Sequence, residues 1–244
     1  MVNAIEVKGL HKEFGKKTAV RNSSFVVEDG IVFSLLGVNG AGKTTTIRML
    51  TGLSKPTSGD AFIYRHSIIG ELDKIKELSN ISTQETAVAP NLTVEENLLF
   101  IAEIYGKSHK EAKSKTEEII KAFSLEEVRK AKAKTLSGGW QRRLSIAMAL
   151  ITEPKVLFLD EPTLGLDVLA RKDLWKIINA LKGTVTIVLT THYMEEAESL
   201  SDKIAIMVDG EIKACGTVAQ IKDSTKKASL EEAFVAIAEG EYIR

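Results

Sequence analysis

The chain has 244 residues, of which 44% are hydrophobic and 27% are charged. This composition is typical of a globular protein and excludes a disordered or collagen-like chain. The 33 Lys and Arg residues balance the 33 Asp and Glu residues. A protein that binds nucleic acid by neutralising its phosphates normally has a basic surplus, so we expect no nucleic-acid partner.

The composition and the first residues also indicate the cellular compartment. The single cysteine, Cys215, forms no internal disulfide, which is typical of a reducing compartment. The apolar stretches are shorter than the roughly 20 residues that a membrane-spanning helix needs. The first residues, MVNAIE, lack the basic and apolar segments of a signal peptide. We therefore expect a soluble cytoplasmic chain that acts at a membrane only through a partner.

The first third of the chain predicts mainly β-strands. Apolar and polar residues alternate over residues 5–7 and 25–27, which is the period of half-buried strands. Residues 31–36 form a nearly continuous apolar run, typical of a strand that is buried on both faces. This run leads through glycines into a helix predicted over 43–51, and another strand is predicted over 60–64.

The middle third, from about residue 85 to 153, is dominated by helical periodicity. Capping-box patterns begin at Thr93 and Ser108, each with a glutamate three residues later. Because a strand-to-helix connection is normally only a handful of residues, this length predicts an inserted helical subdomain rather than a crossover.

The last third returns to an alternation of strands and helices. Strands are predicted over 156–159 and 184–190, and helices over 168–181 and 193–200. Asp209 and Gly210 separate two apolar runs and predict a two-residue β-hairpin. Strands that alternate with helices indicate a doubly wound α/β core.

Residues 37–44, GVNGAGKT, match the phosphate-binding pattern G-x-x-x-x-G-K-[ST]. Glycines let backbone N–H groups turn inward around an anion, and the following helix adds its positive end. Lys43 supplies a charge for the outer phosphates, and the Thr44 hydroxyl can bind Mg²⁺. The position between a buried strand and a helix favours a nucleotide site over an ordinary glycine turn. The predicted ATP-binding residues of this loop are Gly37, Val38, Asn39, Gly40, Ala41, Gly42, Lys43, Thr44 and Thr45.

A pair of acids, Asp160 and Glu161, ends the apolar run over 156–159. Ligands of open α/β sheets bind at the carboxyl ends of the strands. Beside the phosphate loop, Asp160 is predicted to hold Mg²⁺ and Glu161 to polarise the water that attacks the γ-phosphate. Without that loop, the pair would indicate only solvated acids or a helix cap.

Residues 136–144, LSGGWQRRL, predict a second anion-binding helix N-terminus. Ser137 can cap the helix that follows, and Gly138 and Gly139 leave its first N–H groups open. On its own, Ser-Gly-Gly indicates an ordinary capped helix.

This segment resembles the signature motif of the ATP-binding cassette family, and the resemblance extends from about residue 3 to 222. The resemblance implies an α/β P-loop NTPase (RecA-like) core with an N-terminal antiparallel β subdomain and an inserted α-helical subdomain. It implies a cassette over residues 1–222, with the helical subdomain over 85–153. A short helical tail is expected over 223–244.

The resemblance also implies roles for single residues. Phe14 resembles the aromatic residue that stacks on adenine. Gln84 resembles the glutamine of the loop that joins the core to the helical subdomain. His192 resembles the switch histidine that contacts the γ-phosphate, and Asp167 lies in the loop that contacts the opposite subunit. Trp140 stands where the family frequently has Gln. The catalytic residues are predicted to be Glu161, His192 and Gln84, and the Mg²⁺ ligands Thr44, Gln84 and Asp160.

The family pairs two cassettes head to tail, so that ATP at Lys43 of one copy meets residues 137–139 of the other. The resemblance therefore implies ATP and Mg²⁺ as cofactors, and as partners a second copy and a separate integral membrane subunit. Residues 141–147 and 191–197 resemble the multidrug, antibiotic and sodium export subfamily, which favours an export ATPase on the cytoplasmic face of the cell membrane.

Two further expectations concern the partner. Residues 87–90 are apolar, and we expect them to receive a helix of the membrane subunit, although local packing would explain them equally. The alternative function is a soluble cassette ATPase without a membrane partner, such as the iron–sulfur assembly type.

Overall fold

The structure, a computed structural model, describes residues 2–240. The strands of this part are β1 (Asn3–Phe14), β2 (Lys17–Glu28), β3 (Val32–Leu36), β4 (Ser58–Ile63), β5 (His66–Ser67), β6 (Ser79–Ser82), β7 (Val156–Asp160), β8 (Thr186–Thr191), β9 (Lys203–Val208) and β10 (Glu211–Gly216). The α-helices are α1 (Lys43–Leu50), α2 (Leu72–Leu78), α3 (Val94–Ile104), α4 (His109–Ala122), α5 (Gly138–Leu150), α6 (Val168–Ala180), α7 (Met194–Leu200), α8 (Val218–Thr225) and α9 (Leu230–Ala238).

A six-stranded sheet forms the centre of the molecule, in the order β10-β9-β3-β8-β7-β6. Its neighbouring strands are parallel except in the β9–β10 hairpin. Every residue of β3, β7 and β8 is buried, as expected of parallel strands covered on both faces. The hairpin predicted at Asp209 and Gly210 is confirmed, since both residues have positive φ angles between β9 and β10.

A second, antiparallel sheet has the order β2-β1-β4-β5. The alternation predicted around residues 5–7 and 25–27 is confirmed, because β1 and β2 pair with each other there. The buried face of this sheet packs with Phe33 of β3 and Ile47 of α1 in one hydrophobic cluster. The antiparallel β layer is thereby attached to the strand and helix that flank the phosphate loop.

The helical part contains α3, α4 and α5. The capping boxes predicted at Thr93 and Ser108 are both formed, at the starts of α3 and α4. Leu98, Ile119 and Leu144 belong to one cluster with residues of the central sheet. The helical periodicity begins at α3 rather than at residue 85, because residues 84–93 form no regular element.

Among the elements that the sequence did not predict are α2 and β6. The sequence of β6 is SNIS. It contains only one apolar residue and is not enclosed by turn residues, so it does not have the pattern of a strand. It is a strand because it pairs in parallel with the edge of β7. Pairing between distant segments therefore decides its conformation.

The end of the described chain packs on the core. In α9, Leu230 and Phe234 contact the cluster that includes Leu36 and Ile206. The boundary predicted between residues 222 and 223 falls inside α8. Residues 241–244 of the predicted tail lie outside the described residues, and the division into domains stays a prediction. Within residues 2–240, no helix has the length and apolar character needed to span a bilayer.

Candidate nucleotide-binding site

The phosphate loop connects β3 to α1 at the carboxyl edge of the central sheet. Because β8 lies beside β3 and β7 lies beside β8, the ends of these strands meet at the same edge. A cavity of about 490 Å³ opens there. It is lined by Phe14, Lys17, Ala19, Asn39, Gly40, Gly42, Lys43, Thr44, Thr45, Gln84, Glu161, Leu164 and His192.

Two glycines of the loop are required by its backbone. Gly42 has a φ angle of 106°, and a Cβ atom there would lie 2.4 Å from the Ala19 carbonyl oxygen. At Gly37 a Cβ atom would lie 2.4 Å from the Met207 carbonyl oxygen. A side chain at either position would displace β2 or β9, which explains why the loop needs glycine there.

Lys43 is buried at the start of α1, with 4% of the residue exposed. Its Nζ donates hydrogen bonds to the carbonyl oxygens of Gly37 (2.8 Å) and Val38 (3.2 Å). It also lies 3.2 Å from Oε1 of Glu161. The ammonium group is therefore held at the loop, next to the acid at the end of β7.

Asp160 is also buried, and two hydroxyl groups donate to its Oδ1. Thr44 Oγ1 lies 2.9 Å away and Thr190 Oγ1 lies 2.6 Å away. Thr190 belongs to β8 and was not among the predicted site residues, although its place two residues before His192 at a strand end was a usable signal. The structure thus brings Thr44 and Asp160 together, as the sequence predicts.

Glu161 follows β7 with a φ angle of 47°, a conformation that is uncommon for a non-glycine residue. Its N–H donates to Thr190 Oγ1 at 2.9 Å. Its Oε2 lies 2.8 Å from Nδ1 of His192, which follows the end of β8. The carboxylate is therefore held between Lys43 and His192, at the wall of the cavity.

Phe14 lies at the end of β1 with 55% of the residue exposed. It lines the cavity together with Lys17 and Ala19. Lys12 Nζ lies 4.9 Å from the centre of its ring, and the same Nζ donates to the Lys55 carbonyl oxygen at 2.6 Å. An exposed aromatic ring at this place fits a role in contact with a base rather than in the core.

Gln84 is exposed and lines the cavity next to Glu161. Its segment is tied to the site by Arg142 of α5, which the sequence analysis did not single out. Arg142 donates to the carbonyl oxygens of Thr83, Pro162 (2.8 Å) and Asp160 (2.6 Å). Burial lowers the pKa of Arg142 to about 10, so the guanidinium remains charged at neutral pH. The motif over residues 136–144 contains Arg142 but does not indicate this role, because its partners are backbone atoms of distant segments.

The segment 137–139 lies at the start of α5 and does not line the cavity. Ser137 occupies the N-cap position, but its side chain accepts no capping hydrogen bond, so the expected capping role is wrong. Ser137 and Gly138 are exposed. Asp167 is the N-cap of another helix, α6. Its Oδ1 accepts hydrogen bonds from the N–H groups of Leu169 and Ala170, both at 2.9 Å.

The fold and this site define a P-loop nucleotide-binding domain, with a phosphate loop after β3, buried acids at the end of β7 and an aromatic side chain at the rim of the cavity. Residues 20–164 match the ABC transporter family, and the chain belongs to this family. ATP binding, predicted from the loop, is confirmed by this membership.

Bacterial drug-resistance proteins are among the relatives. The linearmycin resistance ATP-binding protein LnrL of Bacillus subtilis (strain 168) is 42% identical over 87% of this chain and 69% of its own length. The daunorubicin/doxorubicin resistance ATP-binding protein DrrA of Streptomyces peucetius is 41% identical over 91% of this chain and 67% of its own length. The human phospholipid-transporting ATPase ABCA3 is 42% identical over 89% of this chain, which spans 13% of that protein.

Two solved structures share the fold. An ATP-binding subunit of an ABC transporter superposes with a TM-score of 0.85 at 31% identity, covering 96% of this chain and 99% of that one. A dimeric post-hydrolysis state of the ATP-binding cassette MJ0796, bound to ADP and Pi, gives 0.78 at 27% identity, covering 87% and 98%. The predicted fold class is confirmed.

Proposed function

We propose that the chain is the ATP-hydrolysing subunit of an exporter, and that it acts in a head-to-tail pair through a separate membrane subunit. One observation carries the proposal. Lys43, Glu161 and His192 converge at one cavity, and Asp160 adjoins it through its hydrogen bond with Thr44. Residues 137–139 present a helix N-terminus outside this cavity. The drug-resistance names of LnrL and DrrA support the export direction.

Hydrolysis follows from the positions of Glu161 and His192. The Glu161 carboxylate is fixed by Lys43 on one oxygen and His192 on the other, so it is oriented to accept a proton from an attacking water. Lys43 would neutralise the outer phosphates, and His192 would contact the γ-phosphate. Phe14 offers its exposed ring to adenine.

Mg²⁺ fits the donor set beside the phosphate loop. Thr44 Oγ1 and Asp160 Oδ1 are 2.9 Å apart, and Gln84 lines the same cavity. These are oxygen ligands, and Mg²⁺ is typically held by one or two protein oxygens together with substrate phosphates. When bound there, the ion would neutralise charge on the β- and γ-phosphates. Thr44, Asp160 and Gln84 would hold it.

A second copy of the chain completes the site. The exposed Ser137 hydroxyl and the first N–H groups of α5 are free to bind an anion, and the γ-phosphate of the partner's ATP is the anion that the family's pairing brings there. Asp167 is exposed beside Val168 and Leu169, which are 63% and 76% exposed, as expected of a loop that meets another protein surface. The dimeric MJ0796 cassette supports this pairing.

The membrane subunit is proposed to dock beside residues 87–90. Ala87 and Pro90 are exposed, whereas Val88 and Ala89 are half-buried, and Val88 packs against the helical core. The lining of a groove of about 130 Å³ includes Ala87, Ile101 and Tyr105, and α3 carries two further exposed apolar side chains next to Ile101 and Tyr105 in the sequence. These are Phe100 and Ile104.

The docking segment is held in shape by Asn97 of α3. Its Oδ1 accepts the Ala89 N–H at 2.8 Å, and its Nδ2 donates to the Thr93 carbonyl oxygen at 2.8 Å. Such a surface is largely pre-formed, so little conformational entropy of this segment would be lost when a helix of the membrane subunit binds. With this partner the chain would lie on the cytoplasmic face of the membrane.

Co-purification tests the proposal. The chain is expressed with the membrane protein encoded beside it, and we expect both to copurify in detergent with ATPase activity. Ala87→Glu places a charge in the groove and should lower recovery of the complex at least tenfold, because an unpaired charge would be buried. Lys113→Gln alters an exposed side chain of α4 and changes the net charge by the same amount. It should leave recovery of the complex unchanged. Full activity in the soluble fraction without a membrane protein would instead support the iron–sulfur assembly type.

A further inference from the structure

The contact between α6 and α7 connects two parts of the nucleotide site. The helix α6 follows the exposed loop around Asp167, and α7 follows His192 directly. Arg171 and Trp175 lie four residues apart on α6 and therefore share one face of that helix. This face meets the start of α7 through two contacts.

The first contact involves aromatic and charged groups. The guanidinium carbon of Arg171 lies 4.7 Å from the centre of the Tyr193 ring, within the range of a cation–π interaction. The Tyr193 ring in turn lies 4.1 Å from the His192 ring, at an interplanar angle of 40°. The Tyr193 N–H donates to Thr191 Oγ1 at 3.0 Å, which fixes the direction of the chain after β8. A continuous series of contacts thus leads from Arg171 to the imidazole.

The second contact is a buried hydrogen bond. Trp175 Nε1 donates to Glu196 Oε1 at 3.1 Å. Glu196 is 1% exposed, and the side chains of Thr191 and Thr163 also lie near its carboxyl. Burial raises the pKa of this carboxyl. A buried carboxyl needs hydrogen-bond partners, and Trp175 of α6 supplies one of them to α7.

None of these four side chains lines the nucleotide cavity. We propose that Tyr193 and Glu196 are positioning residues for His192, held by Arg171 and Trp175, so that a shift of α6 moves the imidazole relative to the bound nucleotide. The proposal rests on the proposed function, because it requires His192 to act in hydrolysis. Because His192 meets the γ-phosphate and not the base, the contact should govern kcat and leave the KM for ATP unchanged.

The kinetic test compares matched variants of the full chain. Arg171→Gln and Lys172→Gln each remove one positive charge from α6, but the Lys172 side chain is exposed. We expect Arg171→Gln to lower kcat about fivefold at an unchanged KM, since a cation–π contact contributes on that order. Lys172→Gln should match the wild type. Tyr193→Leu should lower kcat similarly, whereas Tyr193→Phe retains the ring and should keep the activity.

A spectroscopic test follows the imidazole itself. The chain has four histidines, so the His192 imidazole signal can be assigned in NMR spectra by its loss in His192→Gln. Trp175→Phe removes the indole donor far from His192 and should shift this signal, whereas Glu196→Gln keeps an acceptor and should shift it less. Thermal unfolding of each variant is measured alongside.

Three outcomes overturn the proposal. The first is wild-type kcat in Arg171→Gln and Tyr193→Leu, and the second is an equal loss in Lys172→Gln. The third is a loss of kcat that parallels a fall in Tm, with no shift of the His192 signal. This result would mean that the contact between α6 and α7 contributes only to stability. If the wild type fails to hydrolyse ATP, the proposed function fails, whereas the His192 signal still reports whether Trp175 positions the imidazole.

Discussion

Asp160 and Glu161 are adjacent in the sequence but face different partners. Asp160 ends β7 and accepts from the hydroxyls of Thr44 and Thr190. The left-handed backbone at Glu161, with a φ angle of 47°, turns its carboxylate toward Lys43 and His192 instead. A strained residue of this kind persists where the surrounding contacts over-determine it. The turn therefore separates the proposed Mg²⁺-binding position from the proposed general base.

Replacing Glu161 by glutamine tests its role as the base. The amide cannot accept the proton of the attacking water, but it keeps the size of the side chain, so ATP should still bind. We expect hydrolysis to fall by at least a hundredfold, and the protein to accumulate as a dimer in the presence of ATP. Size-exclusion chromatography with light scattering measures the dimer. ATP turnover near the wild-type rate would show that Glu161 is not the general base.

Gly42→Ala tests the backbone requirement of the phosphate loop. A Cβ atom there would meet the Ala19 carbonyl oxygen at 2.4 Å, and the φ angle of 106° is unfavourable for alanine. We expect the free energy of unfolding to fall by about 1–3 kcal/mol and ATP affinity to fall with it. Gly40→Ala, where nothing lies within 4 Å of the added atom, is the control for the clash. Equal effects of both changes in urea unfolding and calorimetry would contradict this explanation.

At the scale of elements, the strand order places the functional groups. Because β3, β8 and β7 are neighbours, the residues that follow them reach one cavity. Arg142 of α5 then ties the helical part to this edge by donating to the backbone of residues 83, 160 and 162. One side chain therefore connects the helical part to the segment before Gln84 and to the end of β7.

Within the helical part, an ionic cluster makes stability depend on pH. Glu95 of α3 contacts Arg129 and Lys130, and their hydrogen bonds and charges lower the pKa of Glu95 to about 2 from 4.5. Since the pKa is lower in the folded state, the carboxylate stabilises the fold above about pH 4.5. This contribution is lost as the pH falls from about 5 toward 2.

Glu95→Gln should remove that dependence. We expect the variant to lose about 1 kcal/mol of unfolding free energy at pH 7, since the pair is partly exposed and screened. The difference from the wild type should shrink as the pH approaches 2.5, because the carboxyl is then protonated in the unfolded chain and begins to be protonated in the folded one. Glu127→Gln, an exposed change in the same part, is the control in urea titrations. A difference that does not change between pH 7 and pH 2.5 would contradict the assignment.

At the scale of the whole molecule, the two anion-binding helix ends lie apart. The N-terminus of α1 lines the cavity, whereas the N-terminus of α5 does not. Within one chain, only the α1 end therefore faces the nucleotide cavity. Pairing of two copies resolves this, and it predicts that each site contains residues of both.

Mixing two inactive variants tests the pairing. Lys43→Ala removes the charge that binds the phosphates, and Ser137→Glu places a carboxylate against the partner's γ-phosphate, so each variant alone should be inactive. In a mixed dimer, one site combines an intact Lys43 with an intact Ser137. We expect the mixture to recover up to about a quarter of the wild-type rate, from random pairing with one intact site in each mixed dimer. Failure to recover activity, together with a first-power dependence of the wild-type rate on protein concentration, would contradict the shared site.

Several features follow from the sequence because they depend on neighbouring residues. The phosphate loop needs glycine where φ is positive or a carbonyl lies close, and the hairpin at Asp209 and Gly210 needs residues that tolerate positive φ. The capping boxes at Thr93 and Ser108 close within four residues. Each is a local interaction, and a pattern of a few residues is enough to predict it.

Tertiary structure decided the features that join distant segments. The strand β6 exists because its edge pairs with β7, and Thr190 reaches Asp160 because β8 lies beside β7. Arg142 bonds to backbone carbonyl oxygens, which every residue carries, so no sequence pattern marks its partners. Ser137 fits a capping pattern, yet the structure leaves its side chain without that bond. Local propensity determined which residues can form the site, and packing of remote elements determined which of them meet.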